Sequence, residues 1–325
     1  MTPRRQTLAA LAAALLASAT LPLAAQAQSG QPLKLVVGFP PGSGPDVVAR
    51  HLGQKLAELS KQQVVVDNRA GAGGQIAAQA VARGPADGSQ FLLGEVGSIS
   101  ISPAAYSKLP YDPARDFAAV AEVVRSDFVL VVPANSPARN VAEFVAAAKA
   151  QKDKVNFGTF GAGTPGHFGA EVFGELAGFG VEPIHYRATG DAVTAIVNGD
   201  VKGAFVSTAL AMAQVKGGKM RALATTAAQR SPLLPEVPTF TEAGYPKADF
   251  SAWFAVLVPA ATPAAATEAL SRQVVAAVQS PEVRQKLQEA GFSVIGSSRA
   301  DTERMLKAEA VRWAAVVKAS GFKAD

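Results

Sequence analysis

Strand and helix signals alternate along nearly the whole chain, and that alternation constrains the fold more than any single motif. Residues 33–39 read as a buried strand, after which Val48, Leu52, Leu56 and Leu59 recur at helical spacing. Strands are expected at 64–67, 91–94, 155–160, 183–186, 201–206 and 220–225, with helices at 75–83, 141–151, 167–177, 191–198 and 208–216. A strand at 253–258, helices at 263–279 and 282–289, a short strand at 292–295 and an amphipathic helix at 301–318 close the chain. Such a rhythm predicts α/β layers around mostly parallel sheets flanked by helices. Two extended segments break it, 118–132 (two β-rich runs, 118–124 and 128–132) and 251–258. Read as two crossover strands forming a hinge, they put residues 28–124 and 252–325 in lobe 1 and 125–251 in lobe 2, with a cleft between.

The first 27 residues stand apart from this pattern. Arg4 and Arg5 precede an apolar Ala/Leu run, and Ala25-Gln26-Ala27 is a small-x-small cleavage site, so residues 1–27 read as a secretory signal peptide. The Arg-Arg pair leaves both the general and the twin-arginine export routes open. Gln28 follows the cut where a lipoprotein would carry a cysteine. The chain has no cysteine at all, which excludes thiol nucleophiles, zinc–thiolate sites and disulfide staples. Its small basic surplus (31 Lys and Arg against 26 Asp and Glu, two of the former inside the signal peptide) is too dispersed to argue for nucleic acid.

The expected chemistry lies in loops at strand ends. Between the first strand and helix runs Pro-Pro-Gly-Ser-Gly, 40–44, with Gly42 and Gly44 giving a ligand access to backbone. Ser43 and Asp46 fit a capping box and Pro45 suits the first turn, so helix-start N–H groups would face an anion there. An ordinary βα turn explains the same residues equally well. The second lobe repeats the device at 161–166, Gly-Ala-Gly-Thr-Pro-Gly, before His167. This is formally a dinucleotide fingerprint, but Pro165 and His167 would crowd a pyrophosphate, and no acidic residue ends the next strand. A second anion seat facing the first is the better reading.

Of the three histidines, His51 reads as a helix residue, His167 as either a ligand contact or a cap, and His185 as a strand-end residue facing the cleft. They have no metal-ligand spacing. No Gly-x-Ser-x-Gly elbow and no paired loop carboxylates occur. The loops offer glycines, N–H groups and hydroxyls (Ser43, Ser98, Thr159, Thr164, Thr189, Ser207, Thr208), which hold an anion but do not move protons at neutral pH. Binding is expected, not catalysis, and no cofactor.

Several motifs carry a family resemblance: Phe39-Pro-Pro-Gly-Ser-Gly-Pro-Asp46, Val66-Asp-Asn-Arg-Ala-Gly-Ala-Gly-Gly74, Pro85-Ala-Asp-Gly88 and Tyr111-Asp-Pro-Ala-Arg-Asp-Phe117. So do the loop 161–167, the run from Arg230 to Thr239, Glu242-Ala-Gly244, Trp253 and the stretch 309–313. Together they resemble the extracytoplasmic receptors of tripartite tricarboxylate transporters, the Bug family, over essentially the whole mature chain. The resemblance implies a periplasmic two-lobe binding protein (a type II-like Venus flytrap), a monomer that delivers a small carboxylate or similar polar solute to integral membrane permease subunits. It implies that first-lobe N–H groups hold a carboxylate, pointing to Phe39, Gly42, Ser43, Gly44, Val96, Gly97 and Ser98. Specificity is then expected from the second lobe: Thr159, Gly161, Gly163, Thr164 and His167, then Tyr186, Arg187 and Thr189, then Ser207 and Thr208. The run His185-Tyr186-Arg187-Ala188 departs from the family's usual Pro-Tyr-Lys-Gly, which bears on which solute is bound. The alternatives are presentation of the ligand to a sensor kinase, or an exported hydrolase or lyase on a two-lobe fold.

Overall fold

The computed structural model describes residues 31–186 and 188–324; the signal-peptide expectation and Arg187 lie outside them. Among the described residues, ten strands and nine principal helices follow the expected order. The strands are β1 Leu33–Val37, β2 Val64–Asn68, β3 Gln90–Glu95, β4 Phe117–Pro133, β5 Val155–Thr159, β6 Val181–His185, β7 Gly203–Ser207, β8 Met220–Thr225, β9 Ser251–Pro259 and β10 Ser293–Val294. The helices are α1 Gly44–Ser60, α2 Gln75–Ala82, α3 Val141–Ala150, α4 Pro165–Ala177, α5 Thr189–Asn198, α6 Thr208–Lys216, α7 Ala264–Gln279, α8 Pro281–Glu289 and α9 Arg299–Ser320.

The strands join in the order β2-β1-β3-β9-β4-β7-β5-β6, with β8 and β10 also on β4. The expectation of parallel sheets holds in the two wings, where β1 pairs with β2 and β3, and β5 with β6 and β7. The middle is antiparallel, because β4 and β9 run against each other and against the strands they meet. Each wing buries both faces under helices, which explains apolar runs such as Leu35, Val36 and Val37, all fully buried.

β4 joins the wings. It is a single strand of 17 residues rather than two runs. From Phe117 to Asp127 it pairs with β9, and from Phe128 onward with β7 and β8. The polar triplet Arg125-Ser126-Asp127 separates the two β-rich runs. The backbone stays paired through it, at Arg125 with Trp253 and Ser126 with Ala252. Its side chains alternate sides, as in any strand, and each side holds a cavity.

α1 packs Val48, Ala49, Leu52 and Leu56 onto the first wing. Leu59, expected on that face, is 45% exposed, because the helix ends one residue later as Lys61 turns left-handed at φ 57. The C-terminal helix α9 is tied to β9 through one carboxylate: Glu309 Oε2 accepts from both Trp253 Nε1 (3.1 Å) and Trp313 Nε1 (2.8 Å). Among the described residues, no helix is long and apolar enough to cross a membrane.

Candidate ligand-binding site

A cleft of about 760 Å³ opens where the loops after β1, β3, β5 and β7 meet β4 and β9. Parallel strands direct their C-terminal ends, and hence their βα loops, to one edge, which is where α/β folds bind ligands. Loops from both wings line the cleft. The first wing contributes Phe39, Gly42 and Gly44 before α1, and Gly97 after β3; the second contributes Gly163 and Thr164 before α4, and Ser207 at the end of β7.

The first loop is held from within. Asp46, 2% exposed, accepts from Gly42 N–H (2.8 Å), Asn68 Nδ2 (2.9 Å) and Arg50 Nε (2.8 Å). Burial alone would push its carboxyl up, but hydrogen bonds from Arg50, Gly42 and Asn68 hold it below the usual carboxylate range. The expected capping box does not form. Asp46 reaches back to Gly42 rather than to Ser43, and Ser43 Oγ donates to Pro40 O (2.6 Å) instead of capping α1.

The second loop needs its glycines. Gly161 and Gly163 adopt φ of +115° and +72°, where side chains with a Cβ are strained. Thr164 caps α4 by accepting from His167 N–H (3.3 Å) and donates to Gly161 O (2.9 Å). His167 Nδ1 accepts from Gly163 N–H (3.1 Å), so this ring fastens the loop from behind.

Several expected contacts lie away from the cleft lining. Val96 is fully buried in the first-wing core, and Ser98 is buried beside it. Thr159 is buried and shares a 2.6 Å hydrogen bond with His185 Nδ1, while His167 and His185 stack edge-on at 4.6 Å. Tyr186 packs against the core beneath β7, and Thr189 starts α5. Thr208 faces the opposite cavity and donates to Asp127 O (3.2 Å). Ser43 and Gly161 shape their loops without lining the cleft.

The sequence reading passed over other lining residues. Glu95 ends β3 at the cleft, and its position at a strand's C-terminal end was a readable signal. Its carboxylate accepts from Gly97 N–H at Oε2 (2.8 Å) and from Ser98 N–H at Oε1 (2.7 Å). These are the groups the sequence offered to a solute. Burial pushes this carboxyl up, and the two N–H bonds pull it partly back. The chain then enters a short π-helix, Gly97–Ile101, whose Ser98 carbonyl accepts from the buried Tyr111 hydroxyl (2.7 Å). Gln75, Tyr106, Ser126, Phe254, Phe292 and Phe322 complete much of the wall. Phe322, from the C-terminal tail, packs at 5.4 Å on His167 and 5.6 Å on Phe168. No local pattern announces Phe292 or Phe322, which tertiary folding brings in from afar.

The sequence model of the tripartite tricarboxylate transporter family receptors matches residues 48–322. The chain belongs to this receptor family. It is 32% identical to Protein BugT of Bordetella pertussis over 303 residues, covering 93% of each chain. Among solved structures, the receptor resembles an R. palustris protein solved with adipate (TM-score 0.78, 32% identity, 90% of this chain and 98% of that one). It also resembles MatC from Rhodopseudomonas palustris with bound malate (TM-score 0.73, 28% identity, 88% and 98%). The fold is the two-lobe α/β fold of periplasmic solute-binding proteins, as the residue pattern and the motif resemblance implied. Among the described residues of this receptor, no group of three His, Asp or Glu side chains could hold a metal ion.

Proposed function

We propose that the protein binds a small carboxylate or similar polar solute in the cleft and delivers it, chemically unchanged, to a membrane permease of the tripartite tricarboxylate type. It acts as a monomer in the periplasm, after removal of residues 1–27 behind Ala27, and has no nucleic-acid partner. The observation that carries this reading is the cleft itself: about 760 Å³, with two glycine loops facing each other across the crossing strands. That volume suits a small solute, and two relatives of the same fold were solved with adipate and with malate.

Lobes at 28–124 with 252–325 and at 125–251 fit the change of partner along β4, which leaves β9 for β7 and β8 after Asp127. Closure then amounts to bending at this point, which brings Gly163 and Thr164 toward Gly42 and Gly97. The remaining proposed contacts act at one remove: Ser43, Val96, Ser98, Gly161 and His167 set loop shape, and Thr159, Tyr186, Thr189 and Thr208 set the second-lobe frame. Arg187 is proposed as a specificity residue for the solute's acid group.

The test is a thermal-shift screen of the mature chain against aliphatic and aromatic carboxylates, with the solute recovered and assayed for change. A stabilising solute recovered intact, whose uptake by cells needs both this protein and the permease, supports the reading. Product formation, or uptake that proceeds without this protein, overturns it.

A further inference from the structure

The floor of the first lobe is already an anion site, and the anion is the protein's own. Glu95 lines the cleft at 8% exposure, and each of its carboxylate oxygens takes one backbone N–H, from Gly97 or Ser98. The Ser98 hydroxyl also bonds to this carboxyl, and because a carboxylate offers about four acceptor positions, at least one stays in reserve. Asp46 fills the first loop in the same way but has Arg50 as its counter-ion. No Lys, Arg or His side chain lies among the described residues that line the cleft.

This arrangement is ill suited to a solute carboxylate on that floor. The N–H donors there are engaged, and the incoming charge would face a like charge in a partly desolvated site. A donor group meets the opposite situation. An ammonium or amide N–H would find a spare acceptor position on a carboxylate already fixed in orientation, and such charge-assisted bonds are the strong ones. Gly97 is part of the fixing: a Cβ there would stand 2.8 Å from Oε1 and 3.1 Å from Oε2.

We propose that Glu95 selects the solute class: the end docking on the first lobe carries an N–H donor, so the receptor prefers an amino- or amide-bearing monocarboxylate to a dicarboxylate of equal length. This rests on the receptor reading above and narrows it. The donor end meets Glu95, and the acid end is left for the second-lobe loop.

The experiment uses matched series of four to eight carbons plus one aromatic set, each holding a dicarboxylate, its mono-amide, the corresponding amino acid and the carboxylate-free diamine. Affinities are read by calorimetry on the mature chain. The amino or amide acid should bind at least about tenfold tighter than its dicarboxylate, a step of ~1.4 kcal/mol. Glu95→Gln, which keeps the shape, should shrink the ammonium advantage to under about threefold, less than that same step. Glu95→Ala should open the N–H pair, so that acetate raises the melting temperature of the variant and not of the wild type. Dicarboxylates binding wild type as tightly as their amino partners, or an unchanged ranking in Glu95→Gln, overturn the Glu95 assignment and leave the receptor reading standing. Diamines binding as tightly as the amino acids would support Glu95 while sinking the carboxylate reading.

Discussion

Two cavities of nearly equal size, about 760 and 750 Å³, lie on either side of the crossing strands, and they treat charge in opposite ways. The front cleft takes Ser126, Ala252 and Ser207; the rear takes their chain neighbours Arg125, Asp127, Ser251 and Thr208. In the rear, charges are largely spent on each other. Arg125 Nε donates to Glu122 Oε1 (2.5 Å), Arg230 pairs with Glu242 (3.0 Å), and Asp249 pairs with Arg312 (2.8 Å). In front, Glu95 is held by its own loop, through the Gly97 and Ser98 N–H groups and the Ser98 hydroxyl, with no cationic partner. Pairs that tie segments together suit the back of a hinge, whereas an acceptor left partly unsatisfied suits a solute. Volume alone does not distinguish the two.

The sharpest way to break this contrast is Gly97→Val, whose Cβ would displace the Glu95 carboxylate. It should weaken solute binding by about a hundredfold while the overpacking costs roughly 1–3 kcal/mol of stability. Calorimetry and thermal melts on the same preparation separate the two, and an unchanged affinity would remove Glu95 from the site.

Arg125→Ala probes the rear. Glu122, 3% exposed, would lose its partner. Removing half of a buried pair costs several kcal/mol, but Arg125 is itself about one-third exposed, so a loss of about 1–2 kcal/mol is expected. Solute affinity should stay within about twofold, well inside the ~1.4 kcal/mol of a tenfold change. An affinity loss as large as the stability loss would mean that the rear cavity also takes part in binding.

A pair of acid substitutions sharpens the comparison by sign. The Asp46 carboxyl sits below its ordinary value of 3.8, so its stabilisation is present above that pH and is lost as pH falls through the lowered value. Asp46→Asn should therefore cost about 1–2 kcal/mol near neutral pH, with the difference from wild type vanishing in strong acid. Asp127, in the rear, is pushed up by burial, although Ser293 Oγ (2.5 Å) and the Arg125 charge pull it down. Its folded value lies above 3.8, so ionising it costs stability at neutral pH, and that cost is relieved as pH falls through the raised value. Asp127→Asn should raise the melting temperature at neutral pH, with the gain fading in mild acid. Two variants moving the same way would refute the assignment.

The smallest effect is expected for Phe322→Ala. The ring covers Gly163 and His167, with Gly163 placed so that a Cβ would stand 3.2 Å from it. Binding should weaken by about threefold, roughly half of a ~1.4 kcal/mol step. No change would place the tail outside the closed state.

Much of the fold was legible because its signals are local. The apolar spacing of Val48, Leu52 and Leu56 marked α1, and the bounds read for α6 and β8 are those observed. The glycines of both loops were equally readable, since a positive φ at Gly161 and Gly163 is a property of single residues. The segment 118–132 reads as a crossover strand, which it is; the two β-rich runs within it are continuous, because the polar triplet between them stays paired with a cavity on each side. The wings were expected to be parallel and are. The antiparallel middle depends on where β9 returns to the sheet, which no short window of sequence encodes.

By itself, then, the sequence determined the α/β units, the glycine loops at their strand ends and the family to which they belong, because periodicity, caps and backbone freedom act within a few residues. Tertiary structure alone decided which loops share a cavity, that Phe292 and Phe322 close it, and that the N–H groups of Gly97 and Ser98 are taken by Glu95. Those outcomes depend on burial and on direction in space, which a chain acquires only once its distant segments have met.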